Sequence, residues 1–450
     1  MKMKKTMIIF ACGILAAWTA SAQESQSSRL EELEQRTSLL EDNLAKTNRF
    51  KVSGYIQAQY QHAQWADDGI NFKLQNRLNS VEQAENANYS RFGIRRGRIK
   101  FTYDDGLMQA VFQPDFSQNG VSFKDAYFAV KDPWFGTNSL KAGLFDRPFG
   151  HEIAFSSSRR ESPERSRIFQ RLFPDERDLG AMLTLQPSKS SPLNIFKLEG
   201  GLFAGNGISP QISSKMDFIG RFSVTKPLGA NLVLSGGVSG YFGGVLQNDE
   251  SVYIMKNGAF QLREPATKDN ISEYAKRQYI GVDVQLSMIS AAGFTNLRAE
   301  YIMGEHPFHG GQSTKLTAVR TGVVEMRKIS GGYLLLAQDL GTTPFTFVAK
   351  YDWYNPNTDV SGNDIAKDVD ADQRKTGAGD ITKSTVGLGL LWRIHPSLKL
   401  TAYYDIVTNE TTENLKGSKN ADGKFSSPAN FGYEKVRPEN VFTLRLQYKF

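Results

Sequence analysis

The segment VFTLRLQYKF, Val441–Phe450, decides the fold. On an extended chain Phe442, Leu444, Leu446, Tyr448 and Phe450 share one face, and Thr443, Arg445, Gln447 and Lys449 share the other. In water this strand would present an apolar, unpaired edge, which invites aggregation. Between lipid on one side and a wet lumen on the other, both faces are satisfied.

The same period of two recurs toward the N-terminus. Sixteen segments of roughly ten residues carry it, near 51–61, 92–104, 107–116, 121–131, 138–145, 179–187, 193–204, 216–226, 230–242, 275–289, 294–304, 326–338, 343–354, 382–394, 397–408 and 439–450. Their connections alternate. Short ones such as DDG (104–106), SAAG (290–293) and HPS (395–397) alternate with long ones such as 62–91, 146–178 and 409–438, and only 117–120 is short for its side. An even strand count with short turns on one side and long loops on the other predicts an all-β fold, a 16-stranded antiparallel transmembrane β-barrel over residues 50–450 in the bacterial outer membrane. A barrel of that size leaves an aqueous channel. The chain enters and leaves on the short-turn side, which is periplasmic in such barrels.

The N-terminus reads as an export signal. A basic MKMKK, an apolar TMIIFACGILAAW and Ala20-Ser21-Ala22 predict a signal peptide over residues 1–22. Cys12 alone suggests an acylation site, but bulky Phe10 argues against it. Cleavage after Ala22 removes the sole cysteine, and the formal net charge falls from +7 to +4 as Lys2, Lys4 and Lys5 leave. So mild a balance does not indicate nucleic acid. Residues 23–49 form a second segment. Gln26, Leu33, Leu40 and Thr47 alternate with Leu30, Thr37 and Leu44 at heptad spacing, with Arg29 and Arg36 placed to face Glu34 and Glu41 of a neighbour. This predicts a short N-terminal periplasmic coiled coil, parallel and in register, with an amphipathic helix on the barrel rim as the alternative. So short a coil needs other contacts to gather the subunits.

Enzymatic signatures are scarce. There is no G-x-S-x-G and no H-E-x-x-H. His306 and His309 are expected in a long surface loop rather than a metal site. No cofactor and no catalysis are implied.

Charge placement says more. In RFGIRRGRIKFTYD, Ile99, Phe101 and Tyr103 suit lipid, which turns Arg96, Arg98 and Lys100 into the lumen. Rows of basic groups in a pore favour anions. Arg221, Lys350 and Arg393 lie on the lumen faces of later strands. Alternatively, all of these pair with acids such as Asp125, Asp283 or Glu300, giving little charge selectivity. The stretch 146–178 holds seven arginines, among them Arg159, Arg160, Arg165 and Arg167, against seven acids. Guanidinium binds phosphate and carboxylate through a two-point fork. Ile153-Ala154-Phe155 and Ile168-Phe169 predict that this loop packs inward.

The order of FGIRRGRIKFTYDDGLMQAVFQPDFS, VSFKDAYFAV, LKAGLFDRPFGHEIAFSSS and ESPERS resembles the phosphate-selective porin O and P family. The resemblance implies a trimeric sixteen-strand barrel with an infolded third loop and a basic, anion-attracting lumen. It implies outer-membrane lipid, a homotrimer and small anions such as phosphate as partners. It also implies that a terminal aromatic serves assembly. The charge-balanced third loop departs from a simply basic lining. The other readings of such a barrel are a general porin, a structural or adhesive barrel and a barrel hydrolase.

Overall fold

A computed structural model describes residues 49–64, 89–118, 120–209, 214–264, 267–309, 323–419 and 431–450. The strands are β1 Phe50–Ala63, β2 Tyr89–Asp104, β3 Met108–Ser117, β4 Gly120–Lys131, β5 Ser139–Asp146, β6 Arg177–Leu185, β7 Phe196–Phe203, β8 Asp217–Pro227 and β9 Leu232–Leu246. There follow β10 Val252–Lys256, β11 Ala259–Leu262, β12 Tyr274–Ser290, β13 Gly293–His309, β14 Val324–Asp339, β15 Phe345–Asn355, β16 Lys383–His395, β17 Leu398–Asn409 and β18 Val441–Lys449. Sixteen of them close a barrel in which each strand pairs antiparallel with its neighbour. β9 pairs directly with β12, so β10 and β11 stand outside the circuit as a small hairpin. The hairpin runs alongside the long-loop end of β14, with Val252 opposite Val324.

All sixteen expected segments are strands, with ends displaced by a few residues. The signal peptide expected over 1–22 and the coil expected over 26–47 lie outside the described residues. The sequence reading did not foresee the β10–β11 hairpin. It also placed His306 and His309 in a loop. β13 instead runs through both, and the His306 imidazole is buried, with Nδ1 against the Tyr279 hydroxyl.

Alternation sets which face meets which solvent. In β18, Thr443, Arg445 and Gln447 are buried inside, whereas Leu444, Leu446 and Tyr448 are exposed outside. The final residue completes the ring. Phe450 donates its N–H to the Gly54 carbonyl (3.0 Å) and accepts from the Gly54 N–H (2.9 Å). Its ring lies over Gly54, where an added Cβ would meet Phe450 Cζ at 2.5 Å and the Arg98 carbonyl at 2.5 Å. Glycine is therefore required at the seam. Gly54→Val is expected to lower the yield of folded, heat-modifiable barrel, and so is deletion of Phe450. Wild-type yields from Gly54→Val would show that the ring contact is dispensable.

The short turns are tied locally. Asp132 accepts backbone N–H groups from Phe135, Trp134, Gly136 and Asn138. Those bonds, led by that of Phe135, hold its carboxyl below the usual range.

The third long-side connection, between β5 and β6, folds into the barrel. A short helix, α1 Arg167–Leu172, lies within it. Its apolar side chains Phe149, Ile153, Ile168, Phe169, Leu172 and Phe173 join inward residues of the wall in one buried cluster. Phe173 lies 5.9 Å from Tyr241 and 5.8 Å from Tyr279 between ring centres, and Phe169 lies 6.3 Å from Tyr333. Gly281 makes room for Phe149, whose ring sits 2.9 Å from where a Cβ would stand. The lumen is thus packed with hydrophobic side chains along β9 and β12–β14. Among the described residues a polar cavity is left against the opposite wall.

Candidate functional site

The opposite wall carries two bulges. In the β1–β2 ladder Gln57 faces Arg96 but Ala58 faces Ile94, so Arg95 is extra. In the β3–β4 ladder Gln113 faces Asp125 but Pro114 faces Phe123, so Lys124 is extra. A bulge keeps two successive side chains on one side of a strand. Arg95 therefore joins Arg96 on the inner face, and Lys124 joins Asp125. Both cations were missed from the sequence. The signal was present, since the apolar residues of the outer face change parity from Phe92 and Ile94 to Ile99 and Phe101, and from Val121 and Phe123 to Phe128 and Val130.

Between these strands and the infolded loop lies a pocket of about 290 Å³. Arg95, Arg96, Arg98, Lys124 and Arg165 line it, with Asp115, Glu164, Asp175 and Glu176 as the acids. The wall supplies four of the five cations, and the loop supplies three of the four acids. Asp175 and Glu176 form the loop's turn back into β6 with φ of 64° and 66°. Two successive non-glycine residues in the left-handed region are strained. The turn persists because Glu176 bonds Arg165 and Arg177, and Asp175 lies 3.7 Å from Lys124.

The residues singled out from the sequence occupy several places. Arg96 and Arg98 line the pocket. Arg98 donates to Asp115 (2.8 Å) and to Ser157 Oγ (3.3 Å). Arg96 donates to Gln57 Oε1 (3.3 Å) and lies 3.7 Å from Glu164. Lys100, opposite Ser53 and nearer the short-turn end, is half-buried with no ion pair among the described residues. Arg221 bonds both oxygens of Asp283 (2.7 and 2.9 Å). Lys350 meets Glu152 (3.2 Å), and Arg393 meets Asp339 (2.9 Å) at the short-turn rim.

Inside the loop, Arg165 binds the loop to itself. Its guanidinium donates to the carbonyls of Glu152 (2.9 Å), Ile153 (2.9 Å) and Phe155 (3.2 Å). Arg167 is buried at the start of α1, with its backbone N–H on Asp352 (3.1 Å). Arg159 is exposed and sits 5.3 Å over Phe155. Arg160 is buried without a side-chain hydrogen bond among the described residues, and its carbonyl accepts from Lys399 (3.2 Å). Of the acids weighed as partners, Asp283 holds Arg221 and Asp125 holds Arg177 (2.9 Å). Glu300 instead accepts three hydrogen bonds from the loop N–H groups of His151 and Glu152 (3.1–3.2 Å).

A closed sixteen-strand barrel, a loop folded inside it and an arginine-rich passage beside that loop agree with one further finding. Residues 69–450 match the family described as phosphate-selective porin O and P. The chain belongs to that family. It is an outer-membrane porin. Among solved structures, it is similar to Pseudomonas putida OprB in its high-pH structure, at 11% identity over 92% of this chain and 96% of that one, with a TM-score of 0.54. It is also similar to an anion-selective porin from Comamonas acidovorans, at 11% identity over 89% and 99%, with a TM-score of 0.48. At such identity the likeness to OprB speaks for the fold alone. No curated protein matches the chain.

Proposed function

We propose that this porin passes small anions, phosphate among them, by diffusion through the passage between the infolded loop and the β2–β4 wall, with the long loops outside the cell and the short turns in the periplasm. The observation that carries the reading is the convergence of Arg95, Arg96, Arg98 and Lys124 on one 290 Å³ pocket, with Lys100 following it toward the short-turn end. Cations fixed in a low-dielectric wall raise the local anion concentration. Single-channel recording in planar bilayers under a KCl gradient tests it. The expected reversal potential lies on the chloride side, and added phosphate is expected to reduce the chloride current. A reversal potential at or beyond the potassium side would overturn the reading.

A general porin of little charge selectivity is the second reading. It is favoured by the pairing of Arg98 with Asp115, Arg221 with Asp283 and Lys350 with Glu152. The same recording separates the two, since paired cations leave the reversal potential near zero. A homotrimer anchored in lipid by its apolar belt belongs to the same proposal, supported by the heptads of residues 26–47.

A further inference from the structure

Glu164 occupies a position that its neighbours prescribe for a diffusing anion. Arg95 grips its carboxylate through two parallel bonds, Nε to one oxygen and an Nη to the other, both 2.7 Å. Arg445 of β18 donates a third (2.9 Å), and Arg96 stands 3.7 Å away. Three guanidinium groups from two separate strands thus surround one carboxylate, whose side chain is 10% exposed at the edge of the passage. A single ion pair needs one cation, so the cluster carries an excess of two positive charges around that carboxylate. Two-point guanidinium binding is also the geometry by which arginine takes free carboxylate or phosphate.

The loop backbone does not depend on that carboxylate. The Pro163 carbonyl accepts from Arg445 (2.6 Å), the Glu164 carbonyl accepts from Ser162 (2.9 Å) and Lys350 (3.4 Å), and the Ser166 N–H bonds Glu152 (3.0 Å). The chain on both sides of Glu164 is held by groups that remain when its charge is removed. Its side chain is therefore free to leave the arginines while the loop stays in place.

We propose that Glu164 is a tethered competitor: its carboxylate fills an oxyanion site made by Arg95, Arg96 and Arg445, and a carboxylate or phosphate in transit replaces it there. This rests on the anion reading above and adds to it a named site and a reason for weak retention. Every solute must displace a covalently attached rival of its own chemistry, which shortens its stay and keeps the passage from being blocked by its own cargo. Electrostatics gives the same direction, since a bound solute shares the cluster's excess charge with Glu164 rather than holding it alone.

The test is Glu164→Gln in the full-length porin, recorded in planar bilayers with succinate and inorganic phosphate as probes against a chloride current. Glutamine keeps the length and an acceptor oxygen but surrenders the charge. The expected result is that the half-blocking concentration of at least one probe falls tenfold or more; whichever responds names the oxyanion. Glu161→Gln is the control. Glu161 bonds only Arg298 among the described residues (2.7 and 2.8 Å), on the other side of the loop, and its block is expected to be unchanged. Glu164→Gln/Arg95→Gln is the second variant, expected to return the block toward wild type by removing the fork. An anion-selective wild type whose block is the same in Glu164→Gln overturns the proposal, as does a Glu164→Gln chain that fails to give heat-modifiable barrel while the double variant folds. A wild type that is not anion-selective overturns the reading beneath it instead.

Discussion

Replacing Phe169 and Phe173 with alanine is expected to raise the single-channel conductance several-fold while the barrel stays closed. Both rings are about 1% exposed and stack on one another at 6.1 Å. They join the loop to the aromatic side of the wall through Phe149, Tyr241, Tyr279 and Tyr333. Truncating a buried phenylalanine to alanine costs ~3–5 kcal/mol, and two in contact couple rather than simply add. That loss falls on the contact between loop and wall and leaves the strand ladder intact, because neither residue belongs to a strand. The polar contacts left, such as Arg98 with Ser157 and Arg298 with Glu161, are largely buried, but each contributes less net, because water replaces them once the loop moves. The loop should then swing off the wall it fills, opening lumen now packed with side chains. Conductance and current noise in planar bilayers would report it, and heat-modifiable migration would confirm the intact barrel. A folded variant with unchanged conductance would mean that the polar contacts alone hold the loop.

The difference between barrel and loop also explains what the sequence disclosed. A strand between lipid and water must alternate over its whole length. The residues of β15, β16 and their neighbours therefore announce themselves locally, as Val386, Leu388, Leu390 and Trp392 do on one face of β16. Nothing beyond neighbouring residues is needed to read that pattern. The bulges at Arg95 and Lys124 were local too, as a change of parity, but a parity break within one strand looks like noise until its partner is known. The loop is another matter. That Ile153, Ile168 and Phe169 turn inward followed from their apolarity, and all three are buried, whereas Ala154 is exposed and Phe155 half-buried. Which cation meets which acid did not follow. Glu164 finds Arg445 from 281 positions away, and Arg167 donates its N–H to Asp352 from 185 positions away. Those distances are set by the course of the chain across the lumen, which seven arginines against seven acids leave undetermined. Helix α1 was hidden for a similar reason: six residues are too few to establish a helical period, and burial against the wall rather than propensity stabilises it.

Replacing Arg96, Arg98 and Lys100 with glutamine is expected to invert the charge preference of the channel rather than merely weaken it. The pocket has five cations and four acids in its lining, so its balance is one positive charge. Removing Arg96 and Arg98 leaves three cations against the same four acids, a balance of one negative charge. Asp115 then loses the guanidinium 2.8 Å from it, whereas Glu164 keeps Arg95 and Arg445. Lys100 adds a third lost charge along the same wall, and it has no ion pair among the described residues to offset the change. Coulomb interactions of this kind are strong where the wall screens poorly and weaken as salt rises. The inversion should therefore be largest at low ionic strength, since the Debye length is ~10 Å at 0.1 M and shrinks to ~3 Å at 1 M. Glutamine at exposed Lys256 or Lys268, in the long loop that bears the β10–β11 hairpin, should move the reversal potential far less. A triple variant whose reversal potential in a salt gradient equals that of the wild type would mean that Asp115 and Glu164 already cancel these cations. The selectivity would then reside with Lys124, Arg159 and Arg160, which the substitution leaves in place.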